Sequence, residues 1–229
     1  MKLDEKVRKI VALLNKACGR PAPLRRSDPV DELVRTILSQ NTNDRNSLAA
    51  FAVLKKRFKS WDALLNRRAQ DIARLIKHAG LANIKAKRIK DVLAEIKTRE
   101  GRISLASLRG MGIEESSAYL RSLKGVGPKT AACVLLFSFK KPVMPVDTHI
   151  FRVTKRLALI GKDINIEEAH RALSKAVPRR LIYDFHLGII EYGRKVCKAH
   201  IPHCGECVLY KLCEFELKRI YKKRICRDS

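Results

Sequence analysis

Leu123-Lys124-Gly125-Val126-Gly127-Pro128-Lys129-Thr130-Ala131-Ala132-Cys133-Val134-Leu135, followed by Pro145-Val146-Asp147-Thr148-His149-Ile150-Phe151-Arg152-Val153, is the part of the chain that decides the fold. Glycine permits positive φ and close backbone approach, so Gly125 and Gly127 around Val126 predict a tight turn between two helices. The second helix starts at once, because Pro128 suits a first turn, where its missing N–H loses no hydrogen bond. The N–H groups of Gly127, Lys129 and Thr130 then point outward at an anion, and a phosphate suits that place. Ala131, Val134 and Leu135 share one helical face, which predicts that this side is buried while Lys129 faces out.

Lys129 has two readings. A hairpin of this kind serves many non-catalytic DNA-binding proteins, whose lysine only touches phosphate. Alternatively, an amine near a helix N-terminus in a cationic protein gives up its proton more readily, and a neutral lysine is a nucleophile. Asp147 follows a break containing Pro142 and Pro145 and precedes Ile150, Phe151 and Val153, so it stands at the mouth of a further helix. It can cap that helix, present a carboxylate to the same site as Lys129, or do both. His149, close to Phe151 and Arg152, reads as a packing residue rather than a general base.

The charge balance points to the partner. Lys and Arg number 49 against 23 Asp and Glu, a net charge of +26 on 229 residues. That excess predicts a polyanion. An aromatic content of 6% argues against single strands stacked on rings, so a duplex held by its backbone is expected. A membrane is excluded as the polyanion, because no apolar stretch is long enough to span one and no single helix segregates the charge. The opening Met1-Lys2-Leu3-Asp4-Glu5-Lys6 has no apolar signal core and carries early acids unlike a transit peptide, so the expected location is the cytoplasm, at the nucleoid.

Taken in order, Leu3, Val7, Ile10, Val11, Leu13 and Leu14 predict a first helix, closed by Gly19, Pro21 and Pro23. Asp28-Pro29 opens a second, with Val30, Leu33, Val34, Ile37 and Leu38 on a wide apolar face. It stops at Ser39-Gln40-Asn41-Thr42-Asn43-Asp44, which reads by default as a cap and turn before a helix reaching Phe58. Trp61 to Leu75 reads as one amphipathic helix. His78 to Asn83 breaks it before a basic helix from Lys85 to Glu95, and Leu81, apolar and next to Gly80, reads as core. Ile103 to Leu120 is interrupted by Gly110-Met111-Gly112. Beyond Asp147, apolar spacing predicts three more helices. No segment alternates with a period of two, so the chain is expected to be all-α.

Cys197, Cys204, Cys207 and Cys213 fall within 17 residues and leave six, two and five residues between successive members. The crowding and the odd total of seven cysteines favour metal ligation over disulfides. Four thiolates suit zinc or an iron–sulfur cluster, and spacing alone does not choose. The single short pair, Cys204 and Cys207, is unlike the two pairs of a zinc ribbon. Of the other three, Cys133 reads as core and Cys18 and Cys226 have no assigned part. The basic run from Lys218 to Arg224 reads as extra grip on a polyanion or as a solvated end.

The stretch from Gly125 to Ala131, with the Asp147 motif at this distance, resembles the helix-hairpin-helix DNA glycosylase superfamily in its endonuclease III branch, and the resemblance runs from residue 28 to residue 215. It implies two helical domains with a DNA-binding cleft between them. Residues 23–141 would hold the hairpin, and residues 1–22 plus 142–229 a C-terminal cluster loop. In that family Lys129 and Asp147 match catalytic residues, and the cysteine spacing matches a [4Fe-4S] signature. Gln40 and Asn41 match a loop that puts an amide into the space left by an extruded base, although Ser-Gln-Asn-Thr departs from the family's alanine before glutamine. Leu81 matches a leucine that wedges into the duplex. Gly125, Gly127 and Thr130 would meet phosphate, and so would Lys198 on the basic cluster loop.

The implied activity is that of a bifunctional DNA glycosylase and abasic-site lyase of base excision repair, removing an oxidised pyrimidine. Its partner would be double-stranded DNA with a damaged or mismatched base or an abasic site, bound by a monomer. A monofunctional glycosylase for thymine or uracil mismatches, or one for 5-methylcytosine, is the alternative, because the segment before the hairpin is similar to theirs. A non-enzymatic hairpin module is the third reading.

Overall fold

The computed structural model describes residues 1–224, so Cys226 lies outside the described residues. Among those residues there are twelve α-helices and no strand. Contacts divide the chain into two compact units, Arg25–Lys141 and Met1–Leu24 with Pro142–Ser229.

The unit Arg25–Lys141 holds α2 (Pro29–Ser39) to α8 (Pro128–Phe139). Asp28 Oδ1 accepts from the N–H groups of Val30 and Asp31 at 2.9 and 3.0 Å, with Pro29 in the first turn, so α2 begins where its backbone donors are satisfied. Its apolar residues Val30, Leu33, Val34, Ile37 and Leu38 are all buried. Asn43 caps α3 (Asp44–Arg57) through the N–H of Asn46 at 2.9 Å. The stretch from Trp61 to Leu75 is two helices rather than the one expected: α4 (Trp61–Leu65) and α5 (Ala69–Leu75), with Asn66 closing the first. A straight helix would turn Ile72 about 80° away from Leu64. Breaking at the polar run Asn66, Arg67 and Arg68 lets both be buried.

The basic helix α6 is also longer than its apolar pattern suggests, running Ala82–Glu100 and ending at Gly101 with φ +72°. After a short 3-10 turn, Ala106–Arg109, α7 (Ile113–Ser122) leads into the hairpin. α8 does not have the exposed face expected of an amphipathic helix, since Thr130 to Leu136 and Ser138 are all buried. It packs against α2 and α7, and a helix enclosed in this way is apolar on most sides.

In the other unit, α1 (Leu3–Cys18) packs on α10 (Ile166–Ala176) and α11 (Ile182–Lys195), and α11 packs on α9 (Thr148–Arg156). Asn165 and Glu168 form a reciprocal capping box on α10, both bonds at 2.9 Å. The cysteine segment follows α11 as irregular backbone with two 3-10 turns, Cys204–Glu206 and Tyr210–Leu212, before α12 (Lys218–Arg224). No helix among the described residues is long and apolar enough to cross a membrane.

Candidate functional site

The hairpin between α7 and α8 is built on one glycine requirement, not two. Gly125 has φ +85°, and a Cβ there would stand 2.4 Å from Arg88 Nε. Gly127 has φ −91° and ψ 178°, extended backbone open to any residue, and a Cβ there meets nothing within 4 Å. Nothing in the chain itself therefore asks for glycine at 127. Its bare Cα leaves room at the N-terminus of α8, which no side chain caps. Lys129, in the first turn, is half-buried and donates to no group of its own unit. Thr130 is buried, and its Oγ1 accepts from Gln40 Nε2 at 3.4 Å. Its hydroxyl thus faces the protein and only its backbone N–H faces the helix end.

The amide pair separates by environment. Gln40 Oε1 accepts from Arg88 while its Nε2 reaches Thr130, so Gln40 is drawn back against the hairpin. Asn41 is exposed and takes φ +51°. Leu81 is not core: it is 51% exposed with φ +49°. A Cβ on Gly80 would lie 4.0 Å from Asn41 O, so these two loops run close together. Arg88, under Gly125 and against Gln40, links loop to hairpin; in sequence it is one cation among many on a basic helix.

Asp147 is the N-cap of α9, its Oδ1 accepting from Ile150 N at 2.8 Å. Oδ2 accepts no hydrogen bond from the described residues. The extended segment before it is anchored by two buried histidines. His170 Nδ1 donates to Met144 O at 2.9 Å and His186 Nδ1 to Pro145 O at 3.0 Å, while Ser174 Oγ accepts from Met144 N at 2.9 Å. These three residues gave no sequence signal, because their partners are backbone atoms 26 to 41 residues away. His149 lies against Arg152, Nδ1 to Nη2 at 3.2 Å.

Cys197, Cys204, Cys207 and Cys213 line one cavity, with Arg156, Tyr210, Phe215 and Lys218 around it. Among the described residues no three His, Cys, Asp or Glu side chains form a group that could hold a metal ion. The surroundings nevertheless fit thiolates. Arg156 Nη1 donates to Cys197 Sγ at 3.3 Å and Phe215 N to Cys213 Sγ at 3.4 Å. Arg156 also holds the carbonyls of Lys198 and Ala199 at 2.7 and 3.0 Å, which fixes the loop bearing the exposed Lys198. Burial pushes the Cys204 thiol up to about 11, with the other three cysteines adding to the shift, and burial also raises Cys207 and Cys213. Four thiolates this close would need positive charge among them, which a bound metal would supply.

Residues 34–179 match the HhH-GPD superfamily of base excision DNA repair proteins. Endonuclease III of Thermotoga maritima is 36% identical over 87% of this chain and 89% of its own length. A protein of Arabidopsis thaliana named as a DNA glycosylase is 39% identical over 73% of this chain, which spans 57% of that plant protein. A solved structure of a trapped endonuclease III–DNA covalent intermediate superposes with a TM-score of 0.79 at 26% identity, covering 98% of this chain and 100% of the other. A thermostable thymine-DNA glycosylase superposes at 0.72 with 25% identity, covering 97% of each. Fold and motifs together are those of a helix-hairpin-helix repair protein. The chain belongs to the endonuclease III family of that superfamily.

Proposed function

We propose that this chain is a bifunctional DNA glycosylase and abasic-site lyase that removes an oxidised pyrimidine from double-stranded DNA. It would work as a monomer in the cytoplasm, at the nucleoid. The observation that carries this reading is Lys129, an amine in the first turn of an uncapped helix that donates to no group of its own unit. Among common side chains at this position only an amine forms an imine.

The open N-terminus of α8 takes a phosphate while the target nucleotide leaves the stack. The Asp147 carboxylate, with Oδ2 uncommitted, stabilises positive charge on the sugar as the bond from C1′ to the base breaks. Lys129 Nζ bonds to C1′, and the departing base takes up the proton that the nitrogen loses. The sugar ring opens as its oxygen takes a proton from water, leaving a protonated imine between Nζ and C1′. Loss of a C2′ proton then expels the 3′ phosphate, cutting the strand 3′ to the lesion, and water releases Lys129. Asn41 and Leu81 fill the space left in the duplex. Cys197, Cys204, Cys207 and Cys213 would hold a [4Fe-4S] cluster, whose iron–thiolate bonds tie the basic loop with Lys198 in place over the phosphates.

End-labelled duplexes, each with one abasic site, oxidised pyrimidine, uracil or thymine mismatch, or 5-methylcytosine, test this with and without hot alkali. Cutting without alkali that is lost in Lys129→Ala supports the lyase and names its base. Cutting only after alkali makes the protein monofunctional, the reading that the likeness to a thymine-DNA glycosylase favours. No cutting of any substrate leaves a DNA-binding module.

A further inference from the structure

Lys85 is 1% exposed, in the first turn of α6. Its Nζ donates to Leu38 O at 2.7 Å and to Ala79 O at 2.6 Å. An ammonium in such a place is costly, because it is out of water with two carbonyls and no carboxylate as hydrogen-bond partners. Desolvation accordingly pulls its pKa below the usual lysine range. A methionine would fill the same volume without that cost, so packing alone does not explain a lysine.

Its two acceptors explain it better. Leu38 lies at the end of α2, just ahead of Gln40 and Asn41, and Ala79 ends the 3-10 turn just ahead of Gly80 and Leu81. The ammonium thus joins the roots of two loops that run close together, Gly80 lying near Asn41 O. Both tips are non-glycine residues with positive φ, at +51° and +49°. Such backbone persists only where its surroundings hold it. We infer that Lys85 is a positioning residue: by tying Leu38 O to Ala79 O it fixes the spacing of Asn41 and Leu81, so that amide and leucine enter the duplex as one wedge.

This role rests on the reading of the chain as a DNA glycosylase and lyase, and the test separates the two. Lys85→Met and Lys85→Gln are compared with wild type on a duplex bearing the excised base and on a single-stranded oligonucleotide with an abasic site, which has no stack to wedge. Single-turnover excision from the duplex is expected to fall roughly 10- to 100-fold, while cleavage of the single-stranded abasic site is unchanged. The fluorescence rise of 2-aminopurine beside the lesion, which reports unstacking, is lost in parallel. In a Leu81→Ala background, Lys85→Met adds little, because both act through the wedge. Equal losses on both substrates, full additivity with Leu81→Ala, or a failure of both variants to fold would each overturn the positioning role. Wild-type excision with unaffected Lys85 variants overturns this role alone; an inactive wild type overturns both readings.

Discussion

Gly125 and Gly127 look equivalent in sequence, yet the structure predicts opposite consequences for replacing them. In Gly125→Ala the new methyl must be carried at φ +85°, at about 1–2 kcal/mol for a left-handed alanine. It also falls 2.4 Å from Arg88 Nε, so Arg88 swings away and gives up its bond to Gln40, about 1 kcal/mol more. The total, about 2–3 kcal/mol, lowers the midpoint of thermal unfolding by about 4–12 °C for a chain of this size. In Gly127→Ala the backbone is already extended and the methyl meets nothing. A stiffer unfolded chain favours alanine while the N-cap position disfavours it, so stability stays within about 0.5 kcal/mol of wild type. Its methyl stands where a phosphate approaches the end of α8, and duplex affinity falls about tenfold. Circular dichroism melts and fluorescence anisotropy at one fixed salt concentration measure both. A Gly127→Ala protein as destabilised as Gly125→Ala, or one that binds duplex like wild type, would show that the two glycines do not differ in this way.

Three further outcomes follow from the site. Asp147→Asn keeps the cap on α9, because asparagine caps as well as aspartate, so the melt is unchanged while excision falls about 10²-fold or more; unchanged single-turnover rates would remove Asp147 from the chemistry. Because burial lowers the Lys85 pKa, the unfolded chain binds more protons than the folded one in the alkaline range just below the ordinary lysine value. Stability from this group therefore rises with pH there, and urea unfolding should show wild type gaining on Lys85→Met as pH climbs through that range. Cys204→Ser should carry less iron per chain by elemental analysis and be cut faster by protease within residues 197–213; an unchanged iron content would count against a four-cysteine cluster.

What depends on near neighbours is legible in the amino-acid order alone. The start of α2 at Asp28-Pro29, the turn at Gly125, the cap at Asp147 and the absence of strands among the described residues are all set within a few residues, where backbone donors and acceptors must be satisfied locally. The cysteine spacing was legible for the same reason, since ligands so near in sequence cannot lie far apart. The rest depends on contacts between segments far apart in the chain. The periodicity of Trp61 to Leu75 hid a break that burial of both Leu64 and Ile72 requires, and α8 is enclosed because α2 and α7 cover it. The different surroundings of Gln40 and Asn41, and the burial of Lys85, come from partners 47 to 90 residues distant, or from a carbonyl that carries no side-chain signature. A backbone oxygen is the same in every residue, so sequence shows the lysine but not what it holds.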